Sequence, residues 1–566
     1  MPLFSCRKRW LLVPLLFTGV QAAVAQGGLS QASPGPGTQA ASSACLSCHT
    51  DIGDKLKGHA HASVTCQTCH LKHEDFPHLD VPKPACASCH TSVAKDYARG
   101  VHGQAVSKGN GAAPDCATCH GKAHELESTK TAQFRTSIPD ICGACHGDIA
   151  EEYKQSVHGQ AVGRGVMQAP VCIDCHGEHS ILAPSNAAST VHSSHIRDTC
   201  AQCHGNVRLA QQFGLPADRI ISFDASFHGL ATKSGAETVA NCASCHGVHN
   251  IRASSDPKST INARNLPATC GQCHVGAGQR FALGRIHLGP AGNEAAAVRW
   301  VRYIYLLVIP LTIGLMFLHN FGDWFRKLLR LRFNGNAPGN APGNAPKDEL
   351  AQAGGGSLRM LPGERIQHVL LAVSFIVLAV TGFALKYPDQ WWARPLLLWE
   401  SSKSARGITH RAASVVFMAA ALAHIFSLIF SPRLREHWRV MWPRVHDATE
   451  AIQNFLYNVG LVKAFPGRSS HSYVEKAEYW ALVWGTIVMV GTGLMLWFNN
   501  LTLRWLPKVF IDLATSIHFY EAVLATLAIL VWHFYFVIFD PEVYPMDPSW
   551  FTGKSPRKAP ADETSS

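Results

Sequence analysis

Across residues 26–298 this chain has only short apolar runs and a single methionine, Met167. Runs that short leave too little side-chain surface for an ordinary hydrophobic core. Cysteine is almost absent outside one pattern: nine segments read Cys-x-x-Cys-His, and they hold eighteen of the nineteen cysteines. No segment reads Cys-x-x-Cys-Lys. The remaining cysteine, Cys6, sits in the charged start of the chain. Free thiols and unpatterned disulfides are therefore not what these cysteines serve.

The paired cysteines are Cys45 and Cys48, Cys66 and Cys69, Cys86 and Cys89, Cys116 and Cys119, Cys142 and Cys145, Cys172 and Cys175, Cys200 and Cys203, Cys242 and Cys245, and Cys270 and Cys273. The histidines that follow them are His49, His70, His90, His120, His146, His176, His204, His246 and His274. This spacing lets two thiols bond to the vinyl groups of a haem while the adjacent histidine binds the iron from one face. Cys-x-x-Cys alone would also suit zinc ribbons or disulfides. Neither needs a histidine after the second cysteine, and histidine is only 31 of 566 residues, so nine coincidences are excluded. Nine covalent c-type haems are expected.

The haem-bearing part repeats internally. Val101-His102-Gly103-Gln104-Ala105, Val157-His158-Gly159-Gln160-Ala161 and Phe227-His228-Gly229-Leu230-Ala231 align, and each precedes a pentad at the same spacing. Another histidine trails each of those pentads, and a second pentad closes each unit. A shorter copy runs from His61 to Cys86. This supplies nine candidates for the opposite face of nine irons: His61, His73, His102, His124, His158, His179, His228, His249 and His287. His59, His78, His192 and His195 are left spare. Spacing does not say which histidine serves which haem, and a distal ligand often comes from another repeat. With Met167 alone available, at most one haem could be His/Met, the ligation that raises potential, so low-potential bis-histidine haems are expected. The expected fold of this part is short helices, often starting at a pentad, with long loops, no sheet and porphyrin faces as the buried apolar surface.

Arg7, Lys8 and Arg9, the apolar run Trp10–Val20 and Ala23-Val24-Ala25 read as a secretory signal peptide over residues 1–25. The formal net charge of +11 is not read as nucleic-acid binding, because each haem adds two propionates.

Composition changes near residue 298, where long apolar stretches begin. Val301–Leu318, Ile366–Leu385, Ile408–Phe430, Ala477–Phe498 and Ile517–Phe539 are long enough to span a bilayer. Arg and Lys cluster after the first and third spans, which places those loops and the C-terminus inside and the haem-bearing part outside. The expected order is a c-type domain over 26–298, an anchor helix over 299–322, a flexible linker over 323–360 containing Gly335–Pro346, a four-helix membrane unit over 361–546 and a tail over 547–566. The fold class is all-α, partly irregular and haem-packed, joined to a transmembrane helical bundle. Histidines inside spans are costly and usually functional. His368 lies near the inner end of the second span, His410 and His424 on the third, and His518 and His533 on the fifth. The pairs on one helix are roughly 21–23 Å apart along it, enough for haems at two depths.

Arg365-Ile366-Gln367-His368, Gly407-Ile408-Thr409-His410-Arg411, Lys476 through Leu482, and Ile517-His518 through Trp532-His533-Phe534-Tyr535 resemble the dihaem cytochrome b subunits of formate dehydrogenases and nickel–iron hydrogenases. Fused to a nine-haem domain, the whole resembles the CbcL-type inner-membrane quinol dehydrogenases of metal-respiring bacteria. The resemblance implies an outer haem b on His410 and His518 and an inner one on His368 and His533, with His424 an alternative to His368. It also implies a quinone site beside the inner haem; His319, Arg365, Glu475 and Glu478 lie at a suitable depth, although charges at helix ends are usually interfacial anchors. The function expected is electron transfer between the membrane quinone pool and periplasmic electron-carrier cytochromes or other redox partners at a bacterial inner membrane. The alternatives are reverse flow to quinone and a terminal reductase with one open c haem.

Overall fold

A computed structural model describes residues 44–70, 78, 84–282, 287, 295–333, 357–398, 400, 404–463 and 472–555. The leader over 1–25, His73, the Gly335–Pro346 linker and the tail beyond residue 555 lie outside the described residues. The chain divides into two compact units: Met1–Thr91 with Asp115–Thr129, and Ser92–Pro114 with Lys130–Ser566.

The repeats are built from short helices because each segment carries its own start and stop. Helix Val157–Gly163 begins at Ser156, whose Oγ accepts from the Gly159 N–H at 3.0 Å. Helix Phe227–Lys233 begins at Ser226, whose Oγ accepts from the Gly229 N–H at 3.1 Å. Such caps satisfy amides that a first turn leaves unpaired. A Cβ on Gly103, Gly159 or Gly229 would lie 2.2, 2.1 or 2.0 Å from the carbonyl oxygen of Tyr97, Tyr153 or Phe223. Glycine therefore lets the histidine-bearing helix touch the backbone of the preceding one, which holds His102, His158 and His228 in place.

Helices Cys116–His120, Cys172–His176 and Cys242–His246 open at a pentad's first cysteine, as the sequence reading expects. Asp115, Asp174 and Asn241 cap them through side-chain contacts with backbone N–H groups at 2.9, 2.6 and 3.2 Å. Helix Cys66–Cys69 also opens at its pentad, whereas the Cys142, Cys200 and Cys270 pentads end helices that start upstream at Ala132, Ile196 and Leu266. Consecutive repeats interlock through backbone bonds of 2.8 Å from the Val101 N–H to the Ile181 carbonyl and from the Val157 N–H to the Ile251 carbonyl. The apolar core here is small, formed by Ile138, Val162, Ala169 and Val171.

The membrane part has five long helices: α1 (Ala296–Phe333), α2 (Pro362–Lys386), α3 (Ala405–Phe430), α4 (Tyr473–Trp497) and α5, whose span is Lys508–Phe539. All five are long and apolar enough to cross a membrane. The α-helical part of α5 ends at Ala528, and π-helical turns follow over Ile529–His533 and Tyr535–Phe539. Such turns leave backbone groups poorly matched and recur at functional sites. Asn320 of α1 takes up one of them, its Nδ2 donating to the Val531 carbonyl at 2.7 Å. Ser357–Leu358 pairs antiparallel with Lys554–Ser555 at the end of the bundle away from the repeats.

Helix α1 is more than the tethered anchor its sequence suggests, because it packs along α5. Tyr305 Oη donates to Glu521 at 2.8 Å, and Tyr535 Oη donates to Asp323 at 2.7 Å. Lys327 Nζ lies 2.8 Å from both Asp323 and Asp540, and Asp540 is wholly buried. Two carboxylates around one buried ammonium leave a strong mutual repulsion when the cation is removed. Lys327→Met is expected to cost about 3–5 kcal/mol of stability. Thermal melting of the detergent-solubilised protein checks this, and an unchanged midpoint would refute it.

Candidate functional site

Among the described contacts, eight pairs set a pentad histidine against a second imidazole. The pairs are His49 with His78, His61 with His90, His70 with His124, His102 with His146, His158 with His204, His176 with His249, His228 with His274 and His246 with His287. Their ring centroids are 5.8, 6.1, 5.9, 6.3, 6.2, 6.0, 6.2 and 6.2 Å apart, in the same order. With metal–nitrogen bonds of roughly 2 Å and a ring nitrogen about 1.1 Å from its ring centre, two imidazoles across one iron have centroids about 6.2 Å apart. The pairs fit that separation.

A rule emerges that linear spacing hides. The histidine leading a unit faces the unit's second pentad, as His158 faces His204. The histidine trailing a unit's first pentad faces the previous unit, as His249 faces His176. His78, spare in the sequence reading, is the residue opposite His49, while His73 lies outside the described residues. His120 ends the capped helix Cys116–His120, and His179 Nδ1 lies 4.0 Å from Glu178. Of the other spare residues, His192 bonds Ser194 at 2.7 Å.

Burial, and then the adjacent His204, pushes His158 down to about 4. Burial likewise lowers His102, His176, His204, His228, His246 and His287. These imidazoles are neutral, the form in which a ring nitrogen can bind metal. Sulfur atoms of successive pentads also meet: Cys142 with Cys172, and Cys200 with Cys242. These two pairs of pentads, adjacent in sequence, are thus adjacent in space.

In the bundle, the rings of His368 on α2 and His533 on α5 are 6.3 Å apart. His424 is engaged elsewhere: its Nε2 is 3.0 Å from Tyr479 Oη and its Nδ1 is 3.2 Å from Gln367 Oε1. Towards the repeats, His410 and His518 lie within electrostatic range of each other. Each has its Nδ1 on a threonine of the neighbouring helix, Thr381 at 2.8 Å and Thr492 at 2.9 Å. Gly382 and Gly493, the next residues, leave room beside the two rings. The helix pairs α2/α3 and α4/α5 thus build the two halves of this site alike. The deeper pair is asymmetric: His533 Nδ1 meets Glu478 Oε2 at 3.2 Å, whereas His368 Nδ1 has no hydrogen-bond partner among the described residues.

One cavity of about 2770 Å³ has all four of these bundle histidines on its wall, together with His228, Cys273 and His274. Arg302, Lys386, Arg406, Arg411 and Lys508 line its repeat-side end. Cations there suit carboxylates such as haem propionates. His319, Tyr473, Glu475 and Glu478 line the opposite end. His319 Nε2 is 2.6 Å from Tyr473 Oη, and its ring packs 5.1 Å from Trp532.

The bundle's pattern has a known counterpart. Residues 359–545 match the family model for prokaryotic cytochrome b561. This chain is also 25% identical over 135 residues to the high-molecular-weight cytochrome c of Nitratidesulfovibrio vulgaris (strain Hildenborough), a match covering 23% of this chain and 21% of that protein. The chain therefore spans about a fifth of that relative's length. No solved structure matches. The two matches support membrane electron transfer as the general role, the first pointing to haem b and the second to haem c. Helix α1 lies outside the matched span, yet it supplies His319 and Asn320 next to the deeper histidine pair.

Proposed function

We propose that the chain oxidises a membrane quinol and passes the electrons to a soluble acceptor beyond the membrane. The observation that carries this reading is the single cavity on whose wall His368 and His533, then His410 and His518, then His228 and His274 lie. His368 and His533 would hold one haem b, and His410 and His518 the other. The nine pentads would hold nine c haems, opposed by His61, His78, His102, His124, His158, His228, His249 and His287. His179, the repeat equivalent of His249, is the ninth candidate. Bound there, the haems supply one-electron carriers between quinol and acceptor. Two imidazoles per iron keep potentials low, which suits menaquinol.

The quinol headgroup would sit at the end of the cavity away from the repeats. Glu478 Oε1 and Trp532 Nε1 are buried there without a hydrogen-bond partner among the described residues, a cost that a hydroxyl or carbonyl group would relieve. Oxidation of the quinol releases two electrons and two protons, and the carboxylates Glu475 and Glu478 line that end of the cavity. By the positive-inside rule, the arginine- and lysine-rich loops would put this end in the cytoplasm and the repeats in the periplasm. The partners would be the quinone pool and periplasmic electron-carrier cytochromes.

A menaquinol analogue added to membranes is expected to reduce the b and c α-bands together, the b bands no later than the c bands. Reduction of c haems in membranes that contain no b haem would overturn the proposal.

A further inference from the structure

Nine c haems give electrons leaving the bundle nine possible points of entry. Among the described residues of the larger unit, the contacts between repeats and bundle point to one. The ring of His274, in the last pentad, places its Nδ1 2.9 Å from the Oδ1 of Asn500. Asn500 lies on helix Asn499–Trp505, which joins α4 to α5. Helix Gln279–Ala282, just after the pentad, packs on that same helix and on α5, and the Phe281 ring lies tilted 4.8 Å from the His274 ring. The opposing imidazole is tied to the bundle as well. His228 sits on helix Phe227–Lys233, which packs against α2, and the charge of Lys508, the first residue of α5, reaches it.

The cavity wall runs from His410 and His518 to Cys273, His274 and His228 with no separate chamber between them. Cys245 of the Cys242–His246 pentad is within electrostatic range of Cys270 and Cys273 and also lies on the cavity wall, while Cys200 is paired with Cys242 farther along the repeats.

We infer that the Cys270–His274 pentad carries the junction through which electrons pass between the membrane half and the c-type wire, and that Asn500 is its positioning residue. The inference deepens the proposed conduit and rests on that reading for its direction. When Nε2 binds iron, Nδ1 carries the ring proton and donates it to the Asn500 amide oxygen. Such a partner fixes the tautomer and orientation of the ring and raises its basicity as a ligand. A basic imidazole favours the ferric iron, so the acceptor's strength sets the potential of this one haem. The amide comes from the membrane half, so electronic tuning and mechanical docking coincide in one hydrogen bond.

The test uses the full-length holoprotein and two substitutions of opposite chemistry. Asn500→Leu removes the acceptor, and Asn500→Asp strengthens it. In a spectroelectrochemical titration, about one ninth of the c-band absorbance is expected to move, upward in potential for Asn500→Leu and downward for Asn500→Asp. The expected size is a threefold or larger change in that haem's reduction equilibrium, about 28 mV at 59 mV per decade for one electron. On rapid mixing of Asn500→Leu with a menaquinol analogue, b haems are expected to accumulate reduced while c-haem reduction slows tenfold. Shifts in the same direction for both variants would mean a purely structural contact and would overturn the inference. So would titrations that superimpose on the wild type. If the wild-type protein takes no electrons from quinol, the conduit fails, and the opposed shifts of a single c haem still decide the role of Asn500.

Discussion

His533→Ala is expected to remove one haem b of two and to stop quinol from reducing the c haems. The imidazole of His533 faces His368 at 6.3 Å from a π-helical turn of α5, and no other described imidazole stacks against His368. Reduced-minus-oxidised spectra are expected to lose about half of the b absorbance, while dithionite still reduces every c haem because the pentads bind covalently. His424→Ala is the decisive companion. His424 bonds Tyr479 and Gln367 and does not face His533, so this variant is expected to retain both b haems. Loss of a b haem in His424→Ala with full retention in His368→Ala would reverse the assignment. The same spectra taken on His410→Ala and His518→Ala are expected to lose the other b haem.

The second large effect is expected in the repeats, from a single methyl group. A Cβ on Gly159 would lie 2.1 Å from the Tyr153 carbonyl oxygen and 2.7 Å from the Lys154 Cα, both backbone atoms that cannot turn aside. Gly159→Ala must therefore separate the helices Gly147–Gln155 and Val157–Gly163, and overpacking of this kind costs about 1–3 kcal/mol or more. His158 is carried on the displaced helix, so the iron served by His204 is expected to lose its second imidazole. The measurement is an electron paramagnetic resonance spectrum of the oxidised protein, in which about one haem in nine is expected to turn high-spin. Gly163→Ala serves as the control. It lies on the same helix, nothing stands within 4 Å of its would-be Cβ, and it should match the wild type. A Gly159→Ala spectrum that stays fully low-spin would mean the helix contact does not hold the ligand.

Much of this was legible beforehand where the chemistry is local. The membrane spans follow from runs of apolar side chains, and α2 to α5 occupy nearly the expected stretches. Glycine after histidine in Val-His-Gly stood out as a repeat, but its cause, a backbone-to-backbone contact with a tyrosine or phenylalanine six residues earlier, is visible only in three dimensions. The trailing histidines of later repeats sit closer behind their pentads than His78 does, so spacing alone points to His73, which lies outside the described residues, while His78 faces His49. Helix α1 looked like an anchor because its polar residues, His319, Asn320, Asp323 and Lys327, are few and spread over two turns. They share one face, and that face meets α5.

The residues alone determined where haem can be attached, since two thioethers and one axial bond require only five consecutive positions, and where the bilayer must lie, since spanning it requires only length and apolarity. Pairing of imidazoles was decided by the tertiary structure, because an iron's second ligand must be near in space and is indifferent to distance along the chain. His249 reaches His176 across a repeat boundary, and His533 on α5 reaches His368 on α2 past the two long helices between them in sequence. The junction at Asn500 belongs to the same class: a hydrogen bond between a loop of the bundle and a ring of the last pentad leaves no trace in the spacing of either.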